Sequence, residues 1–339
     1  MSESVLEQII GTLQRCGGNW YPQHGELRNV RVVGHTPKLD HYIYDVVLEF
    51  AGTSERLAAK VFRGNKQGTY APRSLAAQEL KNLFLVHEIC SKKKLSGIPR
   101  PLGDFSEMGA IVTEKLAGIP LQSIVMKAAL LPGYADRGTL QSAARNAGEW
   151  LRRFHKATAD MPEPFDGAAL LTELERLCVG CRGEGLDDLS IKNILGGARA
   201  ILARSRKTLP SSAVLNDFTP LNAIVSETGV GFCEFGKMSR RGSSFHDVAQ
   251  FLASVEALEK YPFCDRAITS EVQDSFVEAY GASPAEQQLL RVLRMKALLT
   301  MLLQGRNVKE SALRKKVMWA NVMKRFIQQA AERSLAPTG

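Results

Sequence analysis

One polar loop constrains the fold and function of this chain more than any other sequence feature. It lies between two strand-like apolar runs and holds an Asp and an Asn five residues apart. Asp217 and Asn222 lie in that loop, within the segment 214–225. A third oxygen-bearing side chain, Glu234, ends the next apolar run, which begins at Val230. A carboxylate, an amide and a second carboxylate in this order are typical of a site that holds a divalent cation against phosphate groups. Mg²⁺ keeps several waters, so two side chains plus the phosphates suffice as ligands.

Length and composition are those of an ordinary globular protein. The chain has 339 residues, of which 45% are hydrophobic and 23% charged, and this length favours two lobes over one. The longest nearly apolar run, 297–303, is too short to span a bilayer. The N-terminus lacks the pattern of a secretory signal, and six cysteines at irregular positions do not suggest a disulfide framework. We therefore expect a cytoplasmic protein.

The positive charge is concentrated near the C-terminus. The segment 291–325 holds ten Lys or Arg and one acid, Glu310, which accounts for the whole formal net charge of +9. Such a run is often only a solvated helix face. The alternative is a surface for an anionic ligand or an anionic membrane.

The first part of the chain predicts a small antiparallel sheet with one helix against it. An amphipathic helix over 4–16 ends at two glycines, and we take residues 1–27 as an N-terminal helical extension. The strands and the following helix are assigned by alternation and by helical periodicity. The predicted strands are 29–33, 43–50, 56–62, 98–105 and 109–114, and the predicted helix is 72–94. Together they form a predicted N-lobe over 28–116.

The remainder, 117–339, is predicted to be a larger, mainly helical C-lobe, so the fold class is α+β. Strand-like hairpins over 213–237 interrupt its helices. The predicted helices are 121–129, 139–158, 168–179, 190–207, 244–259, 269–280, 284–304 and 311–333.

Over roughly residues 30–280 the chain resembles the aminoglycoside phosphotransferase and choline kinase-like group of the protein kinase-like fold. The family loop His-Gly-Asp-x-x-x-x-Asn is matched by Leu215-Asn-Asp217 and then Asn222. Four further segments support the likeness, namely Ala58-Ala-Lys-Val-Phe62, the hinge-like 111–121, Gly148–His155 and Asp247-Val-Ala249.

The resemblance implies an ATP-dependent phosphotransferase that uses Mg²⁺ and a hydroxyl acceptor. In that family Asp217 would orient or deprotonate the acceptor, and Asn222 and Glu234 would ligate the metal. Asp217 could instead bond its own loop backbone, a common role of Asp in turns. That alternative leaves the spacing of Asn222 and Glu234 unexplained.

The resemblance also implies four residues that bind or organise the nucleotide. Lys60 would contact the phosphates, although a lysine within a strand is often only a solvent-facing residue. Its partner should be a helix glutamate, and we favour Glu79 over the competitor Glu88. Glu114 and Leu116 fall in the hinge-like segment, where the family binds the nucleotide.

Several positions depart from the family pattern. Glu234 replaces Asp and extends the carboxylate by roughly 1.5 Å, while Leu215 and Thr219 replace two histidines. The loop 34–42 has a single glycine, Gly34, whereas close approach to phosphates favours several. Lys38 could substitute for backbone amides there. These departures keep open an alternative, a pseudokinase or nucleotide-binding regulator.

Other signals are weaker. Cys178 and Cys181 form a lone CxxC, which does not complete a zinc site. His155, at the end of an amphipathic helix, is expected to be packed rather than catalytic. The loop 240–242 holds two arginines that could bind a phosphate or could be merely exposed.

The excess of positive charge disfavours a cationic aminoglycoside as acceptor. We expect a neutral or anionic hydroxyl compound, such as a sugar, a sugar phosphate or a lipid-linked glycan. A nucleic-acid or membrane-binding protein is the third class. No motif that reads RNA or DNA supports a nucleic-acid partner.

Overall fold

The computed structural model describes residues 2–38, 40–64, 71–131, 133, 136–182, 186–261 and 263–305. They divide into two compact units. Unit 1 consists of residues 1–117 and 231–238, and unit 2 of residues 118–230 together with the chain from Ser239 onward. In the described part of the chain, no helix is both long and apolar enough to cross a membrane.

Unit 1 is built on a five-stranded antiparallel sheet in the order β1-β2-β3-β5-β4. Its strands are β1 (Leu27–Pro37), β2 (His41–Phe50), β3 (Ser54–Phe62), β4 (Pro101–Phe105) and β5 (Ala110–Glu114). Its helices are α1 (Ser2–Cys16) and α2 (Pro72–Lys92). Pro72 suits the first turn of α2 because that position needs no backbone donor.

The N-terminal helix is part of the core of unit 1. Ile9 and Leu13 of α1 are fully buried in one hydrophobic cluster with Leu48 and Phe50 of β2. Tyr21, which follows α1, belongs to the same cluster. Residues of the predicted N-terminal extension, among them Ile9, Leu13 and Tyr21, thus contribute to the core of unit 1.

Unit 2 is mainly helical. Its helices are α3 (Leu121–Leu130), α4 (Arg137–Ala157), α5 (Gly167–Cys181), α6 (Asp188–Leu202), α7 (Phe245–Glu256), α8 (Arg266–Tyr280) and α9 (Pro284–Gly305). The remaining strands are β6 (Ile119–Pro120), β7 (Asp160–Pro164), β8 (Thr208–Val214), β9 (Ala223–Ser226), β10 (Gly229–Phe232) and β11 (Ser239–Ser243). They form two three-stranded sheets, β10-β9-β6 and β11-β8-β7. The chain enters unit 1 within β10, at Gly231.

Aspartate caps and stacked aromatic rings organise unit 2. Four helices begin with an Asp whose side chain accepts from a backbone N–H of the first turn, at positions 136, 166, 187 and 265. Phe218, in the loop after β8, stacks on Trp150 with 5.7 Å between ring centroids. Phe251 and Phe276 stack at 3.9 Å and lie next to it. The loop after β8 is thus anchored in the aromatic core.

Helices α4 and α8 approach each other so closely that Gly148 has no room for a side chain. A Cβ atom there would lie 2.4 Å from the carbonyl oxygen of Phe276. We expect Gly148→Ala to lower the free energy of unfolding by about 1–3 kcal/mol, as overpacking does elsewhere. The matched control is Gly196→Ala in α6, where a Cβ meets nothing within 4 Å. That variant should gain about 0.5–1 kcal/mol, and urea unfolding of both variants measures the difference.

The prediction of a small antiparallel-sheet region and a larger, mainly helical region is confirmed. The sequence missed β7 and β11, and of β8 it predicted only the last residues, 213–214, within the hairpins over 213–237. The helix predicted over 190–207 ends at Leu202, and the next residues lead into β8. The predicted helix 311–333 lies outside the described residues.

Candidate active site

Lys60 lies at the centre of the sheet in unit 1. It is on β3, paired with Ile43 of β2 on one side and with Ile111 of β5 on the other. Its residue exposure is only 3%, so the amino group has left water. A buried ammonium requires counter-charges and hydrogen-bond acceptors close by.

Glu79 of α2 and the segment after β10 supply those partners. The Nζ atom of Lys60 lies 2.5 Å from Oε1 of Glu79, 2.5 Å from the carbonyl oxygen of Cys233 and 3.0 Å from Oε2 of Glu234. The competitor, Glu88, is exposed and pairs with Lys92 at 2.7 Å. Of the two glutamates considered, Glu79 is the partner of Lys60.

Helix α2 also holds the segment that carries Glu234. The side-chain amide of Asn82 donates to the carbonyl oxygens of Phe235 at 2.8 Å and Met238 at 3.2 Å. Gly236 lies against Glu79, since a Cβ there would be 3.2 Å from Oε2 of that carboxylate. Asn82 is fully buried and was not singled out in the sequence.

The charges of Lys60 and Glu234 stabilise each other, whereas burial and the nearby Glu234 raise the pKa of Glu79 in spite of Lys60. Burial acts to lower the pKa of Lys60, but the carboxylates of Glu234 and Glu79 outweigh it and raise the pKa above its ordinary value. Burial acts to raise the pKa of Glu234, and Lys60 together with His41 overcomes it and lowers the pKa. Lys60 therefore stays protonated and Glu234 stays ionised at neutral pH.

Glu114 and Leu116, predicted to bind the nucleotide, follow β5. The carboxylate of Glu114 accepts from the guanidinium of Arg100 at 2.7 Å and from the hydroxyl of Tyr21 at 3.1 Å. The side chain of Glu114 is thus engaged within unit 1, and a nucleotide contact at this residue would use its backbone. Leu116 is half-buried against Gly231.

The segment 34–42, expected as a phosphate-covering loop, is mostly strand. Pairing of β1 with β2 continues through Gly34 and up to Pro37, opposite Tyr42. The turn is short and closes with a hydrogen bond from the N–H of Lys38 to the carbonyl of His41 at 2.8 Å. Strand pairing therefore takes up most of the segment, and its phosphate-covering role stays a prediction.

In unit 2, Asp217 and Asn222 share one turn after β8. The side-chain amide nitrogen of Asn222 donates to the backbone carbonyl of Asp217 at 3.1 Å. The N–H groups of Asn222 and Ala223 both donate to the carbonyl of Thr219 at 3.0 Å. Asn222 is buried and Asp217 half-buried. The side-chain oxygen of Asn222 does not take part in this hydrogen bond, and an oxygen of this type can ligate Mg²⁺.

Asp247 of α7 holds the backbone just before Asp217. Its carboxylate accepts from the N–H groups of Leu215 and Asn216, both at 2.8 Å. Asn216 has φ 60°, in the left-handed region that Asn tolerates better than most residues. Asp247 is fully buried, so these bonds are shielded from water. The carboxylate thereby holds the backbone bend that precedes Asp217.

His155 of α4 supports Asp247. Its Nε2 lies 3.1 Å from Asp247, and its Nδ1 lies 3.0 Å from the hydroxyl of Tyr280. Because a carboxylate only accepts, we assign the proton to Nε2. The prediction that His155 is a packed, hydrogen-bonded residue is confirmed. Leu215, in place of the family histidine, is fully buried and takes part through its backbone.

The two arginines of β11 differ. Arg241 pairs with Glu163 at 3.1 Å and donates to the carbonyl of Met161, so it is a structural residue. Arg240 is exposed and follows Ser239, whose hydroxyl accepts from the side chain of Asn216 at 2.9 Å. Arg240 is thus adjacent in sequence to Ser239, a residue that contacts the loop carrying Asp217.

Within the units, the structure assembles two groups of the predicted residues. Unit 1 brings together Lys60, Glu79 and Glu234, and unit 2 brings together Asp217 and Asn222. Sequence reasoning missed Asn82 and His41. It noted Asp247 only as a family likeness, not as a residue that fixes the loop. Among the described residues, no group of three or more His, Cys, Asp or Glu could by itself hold a metal ion.

No family model and no curated protein matches the sequence. Solved structures do match its fold. A choline kinase from Cryptosporidium parvum is 14% identical, with a TM-score of 0.58, covering 97% of this chain and 96% of its own. A glucosamine kinase in complex with glucosamine, ADP and inorganic phosphate is 15% identical, with a TM-score of 0.54, covering 91% and 95%. An ADP-bound aminoglycoside phosphotransferase is 14% identical, with a TM-score of 0.50, covering 93% and 98%. The chain has the fold of these small-molecule kinases.

Proposed function

We propose that this protein is an ATP-dependent kinase that phosphorylates a hydroxyl group of a small molecule. The observation that carries the proposal is the buried Lys60–Glu79 ion pair with Glu234 beside it. An ion pair of this kind fixes the amino group that meets the nucleotide phosphates in kinases. The titles of two structures that share the fold report bound ADP.

Asn222 and Glu234 are the proposed ligands of Mg²⁺. Their oxygen atoms match its preference, and the low pKa of Glu234 keeps its carboxylate ionised, as ligation requires. Mg²⁺ would neutralise negative charge on the transferring phosphoryl group. Lys60 would donate to phosphate oxygens, and Leu116 and the backbone of Glu114 would contact the nucleotide.

Asp217 is the proposed catalytic residue. Its carboxylate would accept a hydrogen bond from the acceptor hydroxyl and take its proton. The acceptor oxygen would then bond to the γ-phosphorus of ATP as the bond from that phosphorus to the departing ADP breaks. The bend held by Asp247 fixes the start of that loop, and the bond from Asn222 fixes the carbonyl of Asp217 itself. Positioning of this kind is what phosphoryl transfer demands of a protein.

The acceptor is proposed to be neutral or anionic, such as a sugar or a sugar phosphate. The basic segment 291–325 supports this less than its sequence suggested. Within its described part, Arg294 pairs with Glu256 and Lys296 pairs with Glu173. Arg240 is an exposed cation of the loop 240–242 that the sequence offered as a phosphate contact, and it has no acidic partner among the described residues.

An acceptor screen tests the proposal. Release of ADP from ATP is followed with Mg²⁺ and with hexoses, sugar phosphates, amino alcohols and aminoglycosides. We expect acceptor-dependent release with a neutral or anionic compound, and its loss when Mg²⁺ is chelated. Turnover only with aminoglycosides would contradict the proposed acceptor class but would still support a kinase. A thermal shift with ADP but no turnover on any acceptor would instead favour a nucleotide-binding regulator.

A further inference from the structure

A histidine outside the predicted site lies between two carboxylates in unit 1. The Nδ1 atom of His41, the first residue of β2, is 2.8 Å from Oδ1 of Asp40, and its Nε2 is 3.6 Å from Oε1 of Glu234. Its side chain is only 6% exposed, and its ring packs against Phe62. Among the described residues, Nε2 has no hydrogen-bond partner. Glu234 is therefore the charged group that this nitrogen faces.

The turn that carries His41 is braced from β3. The guanidinium of Arg63 donates to the carbonyl of Lys38 and to the hydroxyl of Tyr42, and it lies 4.2 Å above the ring of Tyr42. The N–H of Arg63 donates to the carbonyl of Asp40 at 2.7 Å. These contacts fix the backbone on both sides of His41 and thereby limit the positions that its ring can adopt.

We propose that His41 is a positioning residue that, together with Lys60, holds the carboxylate of Glu234 in the orientation needed to ligate Mg²⁺. The inference rests on the proposed function, in which Glu234 is a metal ligand. Glutamate has one more rotatable bond than the aspartate of the family pattern, and Mg²⁺ tolerates little distortion of its coordination. Lys60 contacts Oε2 and the ring of His41 faces Oε1, so a neighbour at each oxygen restricts that freedom.

A donor role fits His41 better than a ligand role. Both ring nitrogens face carboxylate oxygens, and ionised carboxylates only accept hydrogen bonds. Since Glu234 can only accept, we assign Nε2 as the N–H nitrogen that faces Oε1, and a nitrogen that carries a proton does not bind a metal. The distance of 3.6 Å exceeds that of a direct hydrogen bond, so in this structure the nitrogen faces Oε1 without bonding to it.

Binding of Mn²⁺ to the full-length protein in the presence of ADP tests this role without requiring catalysis. The free Mn²⁺ signal in electron paramagnetic resonance gives the affinity. We expect His41→Ala to weaken Mn²⁺ binding by about 10-fold or more, the usual effect of losing an outer-shell partner. The affinity for ADP without metal should change little. His41→Gln should recover part of the loss, because its amide can still donate. His35→Ala, an exposed histidine of β1, is the matched control.

The decisive comparison repeats His41→Ala in a Glu234→Asp background. The shorter carboxylate ends roughly 1.5 Å further from His41, so removing the histidine should then change Mn²⁺ affinity little. Equal losses in both backgrounds would overturn the inference, as would a nitrogen coupling from an imidazole bound directly to Mn²⁺. Thermal unfolding checks that each variant is folded, and His41→Gln replaces His41→Ala if the latter is not.

Failure of the proposed function has a different signature. If Glu234→Ala leaves Mn²⁺ affinity unchanged, Glu234 is not a metal ligand, and the proposed metal role of Glu234 falls together with the positioning role of His41. If Glu234→Ala abolishes Mn²⁺ binding while His41→Ala and His41→Gln behave as the unmodified protein, only the positioning role is overturned.

Discussion

Asp217→Asn is expected to lower kcat by about 10²–10⁴-fold, the usual contribution of a positioned general base. Asn has nearly the same shape, so the bond from Asn222 to the backbone carbonyl of residue 217 should persist. What disappears is the carboxylate that receives the proton of the acceptor hydroxyl. The KM for ATP should change little, since Asp217 is proposed to contact the acceptor rather than the nucleotide. Steady-state ADP release, with the acceptor found in the screen, measures both constants.

The matched control is Asp274→Asn, the same replacement at an exposed position of α8. It should leave kcat unchanged. Calorimetry with ADP and thermal unfolding should give the same values for Asp217→Asn as for the unmodified protein. A fall of less than about 10-fold in kcat would contradict the assignment, because it lies below the range for general-base catalysis.

Local patterns in the sequence were enough to predict the main parts of the fold. Alternation in β2 and the hairpin of β4 and β5 follow from short-range side-chain preferences. The pairing of Lys60 with Glu79 could also be predicted, because Glu79 falls two turns into the helix that follows the strand of Lys60. Glu88, at the solvent face of the same helix, shows why periodicity alone left the choice open.

Long-range contacts explain what could not be predicted. The strand β8 holds Pro210, Ser211 and Ser212, an unusual composition for a strand, and its partners β7 and β11 are distant in sequence. Asp247 acts on backbone groups 31 and 32 residues away. His41 faces the carboxylate of Glu234, which is distant from it in sequence. Nothing in the residues around them signals these contacts.

The second large effect is a loss of stability, which we expect for Lys60→Met. Methionine has a similar length but no charge, so it leaves the carboxylates of Glu79 and Glu234 without the cation between them. Breaking a buried ion pair on one side typically costs about 3–5 kcal/mol, because an uncompensated charge stays buried. Urea unfolding of the full-length protein should show a loss of this size in the free energy of unfolding.

Two comparison variants identify the cause of that loss. Lys92→Met removes the same charge from an exposed pair with Glu88, whose side chains are 71% and 65% exposed, and should cost at most about 0.5 kcal/mol. Lys60→Met combined with Glu79→Gln should be more stable than Lys60→Met alone, because the glutamine is neutral and its oxygen can still accept the N–H of Phe235. If the two changes instead add, the destabilisation comes from lost packing around Lys60. Mutual compensation of buried charges would then not explain why this lysine is tolerated in the centre of the sheet.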